Sequence, residues 1–181
     1  PLLHNVTRGR YSHHDATSSP YGLLEELFVD DPWKLLLSTI FLNRTTRIQV
    51  DAIVCKFLEA YPTASSVAEG DVERISGIIQ PLGMRHRRAA GIIRFSRDYL
   101  DLLARGTICR EPDCNDWHQS QEWTRDDILG LFHCGEYAYA AFQIFIQLNF
   151  KVHPPDHALK TYVEYQRARI KIEEECPSRC S

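Results

Sequence analysis

Residues 124–148 read TRDDILGLFHCGEYAYAAFQIFIQL, and this stretch decides the fold. Thr124, followed three residues later by Asp127, has the pattern of a capping box and opens a short helix. Residues 131–136 interrupt it, and Tyr137–Leu148 is apolar enough for a central helix. A tight turn between two helices aims the first backbone N–H groups of the second outward, where they can bind a phosphate. The same residues also suit an ordinary αα-hairpin with Gly135 as C-cap. Either way the segment is helical, and nothing in the chain alternates with period two. The pattern predicts an all-α domain of about nine helices with short connections.

On the N-terminal side, Leu23, Leu24, Leu27 and Phe28 mark one face of a short helix. Asp31-Pro32 then supplies an N-cap and a proline at the first helical position, opening a helix through Phe41. A third helix starts at Thr45 or Thr46, with Ile48, Ala52, Cys55 and Leu58 as its apolar stripe, and Pro62 ends it. Short helices follow over Ala64–Ala68 and Val72–Ile79, and Pro81-Leu82-Gly83 reads as a turn. A long helix spans Arg85–Ala104, with Ile92, Phe95, Tyr99 and Leu103 facing inward. His157–Glu174 is the last helix, approached through Val152-His-Pro-Pro-Asp156. We expect residues 1–19 to be a flexible arm, 20–175 the folded domain with a loop insertion at 105–123, and 176–181 a tail.

The 181 residues are 44% apolar and 25% charged, which supports a substantial core and excludes collagen-like, disordered and low-complexity classes. No apolar run approaches the roughly 18 residues of a membrane span, so no membrane partner is expected. The first residue is Pro1, not Met, which suggests a domain of a longer gene product. A net charge of −3 means that any nucleic-acid binding must use a local basic face. Arg85, Arg87, Arg88, Arg94 and Arg97 form one such cluster and Arg44 and Arg47 another, although charge runs also serve as solvated helix faces. Cys109, Cys114 and His118, with His133 or Cys134, have zinc-ligand chemistry but fit no standard finger spacing; the alternative is a loop with incidental thiols, and no metal site is assigned. Asp156, after two prolines, is a natural N-cap. The same place suits a catalytic carboxylate, since a helix N-terminus favours the anion while desolvation opposes it.

Asp31-Pro-Trp-Lys34, Thr39-Ile-Phe-Leu-Asn-Arg-Thr45, Pro81-Leu-Gly83, Leu131-x-x-x-Gly135-x-Tyr137 and Val152-His-Pro-x-Asp-His157 occur in this order. Together they resemble the helix–hairpin–helix (endonuclease III-like) DNA glycosylase superfamily over about residues 20–175. The resemblance implies a DNA-binding cleft and excision of thymine or uracil opposite guanine, notably at deaminated CpG sites. It implies a monomer acting in the nucleus on double-stranded DNA with a G·T or G·U mismatch. Asp156 would be the catalytic carboxylate, stabilising the sugar cation and orienting water. Tyr137, at a position where lyase-competent relatives carry a Schiff-base lysine, would line the base pocket with Glu25, Leu24 and Leu42 and leave an abasic site as product. Met84 after Gly83 would wedge into the vacated stack, and Arg44, beside Asn43, would reach the orphaned guanine. His133 and Gly135 would lie at the phosphate-binding hairpin. With only Cys176 and Cys180 near the C-terminus, no iron–sulfur cluster and no other cofactor is expected.

Some positions depart from the family pattern. His133 stands where glycine is usual, Glu136 where a base is frequent, Glu25 where glutamine reads the flipped pyrimidine, and Ala158 where relatives near the catalytic aspartate carry lysine. An ionised Glu25 would repel pyrimidine carbonyls, whereas a protonated one could donate to them. Adenine excision and a non-catalytic DNA-binding module of the same fold are the alternative readings.

Overall fold

The computed structural model of the chain describes residues 18–107 and 123–175. Among them are eight α-helices and no strand, so the all-α expectation holds with a slightly smaller helix count than nine. The helices are α1 (Pro32–Leu42), α2 (Arg47–Ala60), α3 (Ala64–Ala68), α4 (Val72–Ile78), α5 (Arg85–Leu102), α6 (Arg125–Gly130), α7 (Glu136–Phe145) and α8 (His157–Glu175). Short 3-10 turns cover Glu25–Phe28 and Gln80–Leu82, and a π turn, Leu103–Thr107, continues α5. None of the described helices is long and apolar enough to cross a membrane. The arm through residue 17, most of the expected insertion, and Cys109, Cys114, His118, Cys176 and Cys180 lie outside the described residues.

Local sequence explains most helix starts. Asp31 accepts from the Lys34 amide at 3.0 Å, with Pro32 at the first helical position of α1. Thr46 and Gln49 form a capping box on α2, Thr63 and Ser66 one on α3, and Thr124 and Asp127 one on α6.

Helix α1 is buried on nearly every side, from Pro32 through Phe41 with only Lys34 excepted, as its near-continuous apolar sequence requires. It packs against α2, α5, α7 and the 25–28 turn. It is thus a helix of the interior, and so is α7, whose Ala138, Ala140, Ala141, Phe142, Ile144 and Phe145 are buried. Trp33 Nε1 donates to Ser96 Oγ at 3.1 Å, a buried bond between α1 and α5. Where α1 ends, the chain meets the starts of α5, α7 and α8, and the clefts open there.

Several sequence expectations are corrected. Of the stripe assigned to α2 only Leu58 is buried: Ile48 is 82% exposed, Ala52 is exposed and Cys55 half-buried, and Val50, Ile53, Val54 and Phe57 join Leu58 in facing the core. In place of a short helix over 23–28 there is a 3-10 turn at Glu25–Phe28, α5 stops at Leu102, and α7 starts at Glu136 and ends at Phe145. Gly135 is the N-cap of α7 with an extended φ of −124°, not a left-handed C-cap. Arg88 does not join a solvated basic face; its side chain is buried.

Candidate active site

The larger cleft, about 660 Å3, gathers residues from four separate parts of the chain. Glu25 and Leu24 come from the start of the 3-10 turn and the residue before it, Thr39, Leu42 and Asn43 from the end of α1, Gly135 and Tyr137 from the hairpin into α7, and Asp156 from the start of α8. All the residues expected for catalysis and for the base pocket line this space. A smaller cleft of about 270 Å3 is lined by Ile40, Asn43, Arg44, Met84, Arg87, Arg88 and His133. Asn43 and His133 border both, so the two form adjoining parts of one surface. Gly83 lines neither; at φ 71° it makes the left-handed turn that delivers Met84, whose side chain is 55% exposed.

Glu25 is 1% exposed, and its Oε1 accepts a 2.6 Å hydrogen bond from the Tyr137 hydroxyl. Burial raises the Glu25 carboxyl above its ordinary range, and the charge of Asp156 adds to this; the Tyr137 bond and the Arg47 charge oppose it without reversing it. Burial likewise lifts the Tyr137 phenol far above its usual value, with Glu25 as the next cause. The phenol is therefore a neutral donor locked onto a carboxyl. Asp156 Oδ1 accepts from the amides of Ala158 at 2.8 Å and Leu159 at 3.2 Å. It thus performs the capping role that the sequence allowed while also lining the cleft.

Among the described residues, three of the four non-glycine residues with positive φ, Arg44 (60°), Met84 (46°) and His133 (67°), line the smaller cleft; the fourth is Leu148. Left-handed backbone costs an ordinary side chain on the order of 1 kcal/mol or more, and such strain concentrates at sites that aim a side chain. His133, standing where glycine is usual, is thus held in a strained conformation. Its ring lies over Gly91 of α5: a Cβ there would sit 2.3 Å from His133 Nε2. Burial, then Arg87 and Arg88, lower the His133 pKa. Glu136, which stands where a base is frequent, forms an ion pair with Arg125 from the start of α6. Cys134 is buried, and burial pushes its thiol up to about 12, which disfavours a metal-binding thiolate.

Three residues play roles at the site that the sequence did not disclose. Glu26, 5% exposed, accepts from Ser19 N at 2.7 Å, Ser19 Oγ at 2.8 Å and Leu23 N at 2.7 Å. It thereby folds residues 19–23 into a wall of the larger cleft. Arg47 steadies the same wall, donating to the Gly22 carbonyl at 2.5 Å while pairing with Asp51. Arg88 Nη1 donates to the Ile40 carbonyl at 2.7 Å, and Nη2 to those of Asn43 at 3.1 Å and Leu82 at 3.3 Å.

No family model matches the chain. Over 155 residues, 85% of its length, the chain is 30% identical to the methyl-CpG-binding domain protein 4-like protein of Arabidopsis thaliana. It is 43% identical over 68 residues to the thymine/uracil-DNA glycosylase of Pyrobaculum aerophilum, and 33% identical over 67 residues to the thymine-DNA glycosylase of Aeropyrum pernix. Those stretches are 38% and 37% of the chain. In each case the match spans 30% of the relative's own length. Among solved structures, a thermostable thymine-DNA glycosylase superposes with a TM-score of 0.52 at 20% identity, over 80% of this chain and 55% of that one. The chain resembles helix–hairpin–helix DNA glycosylase domains, in sequence through the first three and in fold through the last.

Proposed function

We propose, from that resemblance and from the grouping of residues in the cleft, that this chain is a monofunctional DNA glycosylase domain. Its substrate would be thymine or uracil opposite guanine in double-stranded DNA, and its product an abasic site. The observation that carries the reading is the convergence of Asp156, Tyr137 and Glu25 on one 660 Å3 cleft, a volume suited to a single extruded nucleotide.

The chemistry follows from the residue types. Extruding a base costs a few kcal/mol, least for a mismatched pair, which supplies part of the selectivity. Met84, exposed and unbranched, fills the gap in the stack, and Arg44 offers its guanidinium fork to the unpaired guanine. Heterolysis of the C1′–N1 bond leaves its electron pair on the pyrimidine and positive charge on the sugar. The Asp156 carboxylate stabilises that cation and accepts the proton of the water that adds to C1′. Tyr137 has no amine to form a Schiff base, so the abasic sugar is released without strand cleavage. Glu25 in its neutral form donates to a pyrimidine carbonyl while its other oxygen holds the Tyr137 hydroxyl. We place the domain at residues 20–175, and its action as a monomer in the nucleus.

A single-turnover assay on a labelled duplex with one G·T or G·U pair tests this reading, with and without alkali treatment. Breaks that appear only after alkali, and that Asp156→Asn abolishes while mismatch binding persists, are expected. Binding without excision by the unaltered protein would leave a DNA-binding module, and excision of adenine instead would reassign the pocket.

A further inference from the structure

Arg88 stands out as a buried charge without a counter-charge. It is 6% exposed, its hydrogen-bond partners are three backbone carbonyls, its Nε has no partner, and no carboxylate among the described residues pairs with it. It also sits in the first turn of α5, where the helix dipole disfavours a cation. Burying an arginine there is costly, so its position calls for a compensating role.

The three carbonyls identify the role. Those of Ile40 and Asn43 belong to the C-terminal end of α1, whose own last turn contains no basic residue. Arg88 therefore supplies the cation that this helix end lacks, from a different helix. The Leu82 carbonyl lies two residues before Met84, and the Arg88 amide itself donates to the Met84 carbonyl at 2.9 Å. One guanidinium thus ties the peptide immediately before Arg44 to the turn immediately before Met84. Both of those residues hold left-handed backbone conformations that need outside support.

We propose that Arg88 is a positioning residue that locks the Arg44 and Met84 turns into one rigid unit, so that both side chains enter the duplex together. This rests on the glycosylase reading above. Lysine keeps the charge but has one nitrogen where the fork has two, so it cannot serve the Ile40 carbonyl, held by Nη1, together with the Asn43 and Leu82 carbonyls, both held by Nη2, in the geometry of a planar guanidinium. Loss of the lock should affect formation of the extruded state more than initial attachment to DNA, because attachment draws on phosphate contacts elsewhere.

The test compares the unaltered protein with Arg88→Lys, Arg88→Met and Met84→Ala, alone and combined. Arg88→Lys is expected to bind a matched duplex within a few-fold of the unaltered protein, yet to slow single-turnover excision from a G·T duplex by roughly a hundredfold, the scale of a 1 Å misplacement. Adding Met84→Ala to Arg88→Lys should then cost far less than Met84→Ala alone, since the wedge is already misplaced. Independent multiplicative effects, or an excision loss matching the loss of folded protein, would overturn the proposal. Amide hydrogen exchange in the free protein supplies a readout without activity. In Arg88→Lys, or in Arg88→Met should the lysine variant not fold, residues 43–45 and 82–85 should lose protection together while α3 and α4 keep theirs. Release of only one turn, or of neither, overturns the lock even if excision is never observed. Failure of the unaltered protein to excise any base, with both turns released together, would instead refute the glycosylase reading alone.

Discussion

Replacing Glu25 by glutamine removes a charge without removing a contact, because the amide oxygen can still accept the 2.6 Å bond from the Tyr137 hydroxyl. The shape and burial of the site stay the same, so the stability difference between the two proteins isolates the ionisation of one carboxyl. Its folded pKa is raised, chiefly by burial, above that of the unfolded chain. Below the unfolded value, about 4.3, glutamate is neutral in both states and the two proteins should respond alike to pH. As pH rises, the unfolded chain releases its proton first. The folded glutamate protein then loses stability relative to the glutamine variant by up to about 1.4 kcal/mol per pH unit. The gap stops widening once pH passes the raised folded value. For a chain of this size that slope corresponds to roughly 3–6 °C in Tm per pH unit inside the window. Urea and thermal unfolding between pH 4 and pH 8 measure it directly. A stability difference independent of pH, or one that widens on acidification, would refute the reasoning. The Asp156→Asn background provides a check: removing a neighbouring charge that raises the Glu25 pKa should end the widening at lower pH.

Tyr137→Phe deprives buried Glu25 of its donor and should cost about 1–3 kcal/mol in chemical denaturation; an unchanged midpoint and slope would show that another donor replaces it. Asp31→Ala removes the cap on the Lys34 amide and should destabilise by about 0.5–2 kcal/mol, provided that α1 keeps its start; equal stability of the two proteins would count against that cap. Gly91→Ala should gain up to about 1 kcal/mol of helix propensity only when His133→Ala has cleared the ring from its path and the Phe132 ring, 3.3 Å from the new Cβ, shifts by a few tenths of an ångström. The same gain in the presence of His133 would mean that the ring moves aside without cost.

What the sequence disclosed and what it concealed divide along a physical line. The Asp31-Pro32 start and the Thr124–Asp127 box were legible because capping is settled within four residues. Asp156 was legible as a helix start for the same reason, and its candidacy for catalysis came from the surrounding motif. Arg88 was not legible: in Arg85-His-Arg87-Arg88 nothing local separates the buried arginine from its neighbours, and the Ile40 carbonyl it binds lies 48 residues away. On α2, Ile48 shares a helical period with Ala52 and Cys55, but Val50, Ile53 and Phe57 define a second stripe, and only the packing of α1 and α4 chooses between them. The left-handed turns at Arg44 and Met84 were equally hidden, since neither residue type favours that conformation.

The wall formed by residues 19–23 has a consequence for how this cleft can change over time. Glu26 grips it by two backbone amides and one hydroxyl, and Arg47 by a carbonyl. Tyr21, on the face of that wall, lines the cleft yet remains 48% exposed and outside the apolar core. Substitution there alters the cleft surface and gives up an edge-to-face ring contact with Tyr165 of α8, while the clasp and the core remain as they were. The stability that a new specificity usually consumes is therefore largely spared, and the rim can diversify by single steps around an unchanged Asp156.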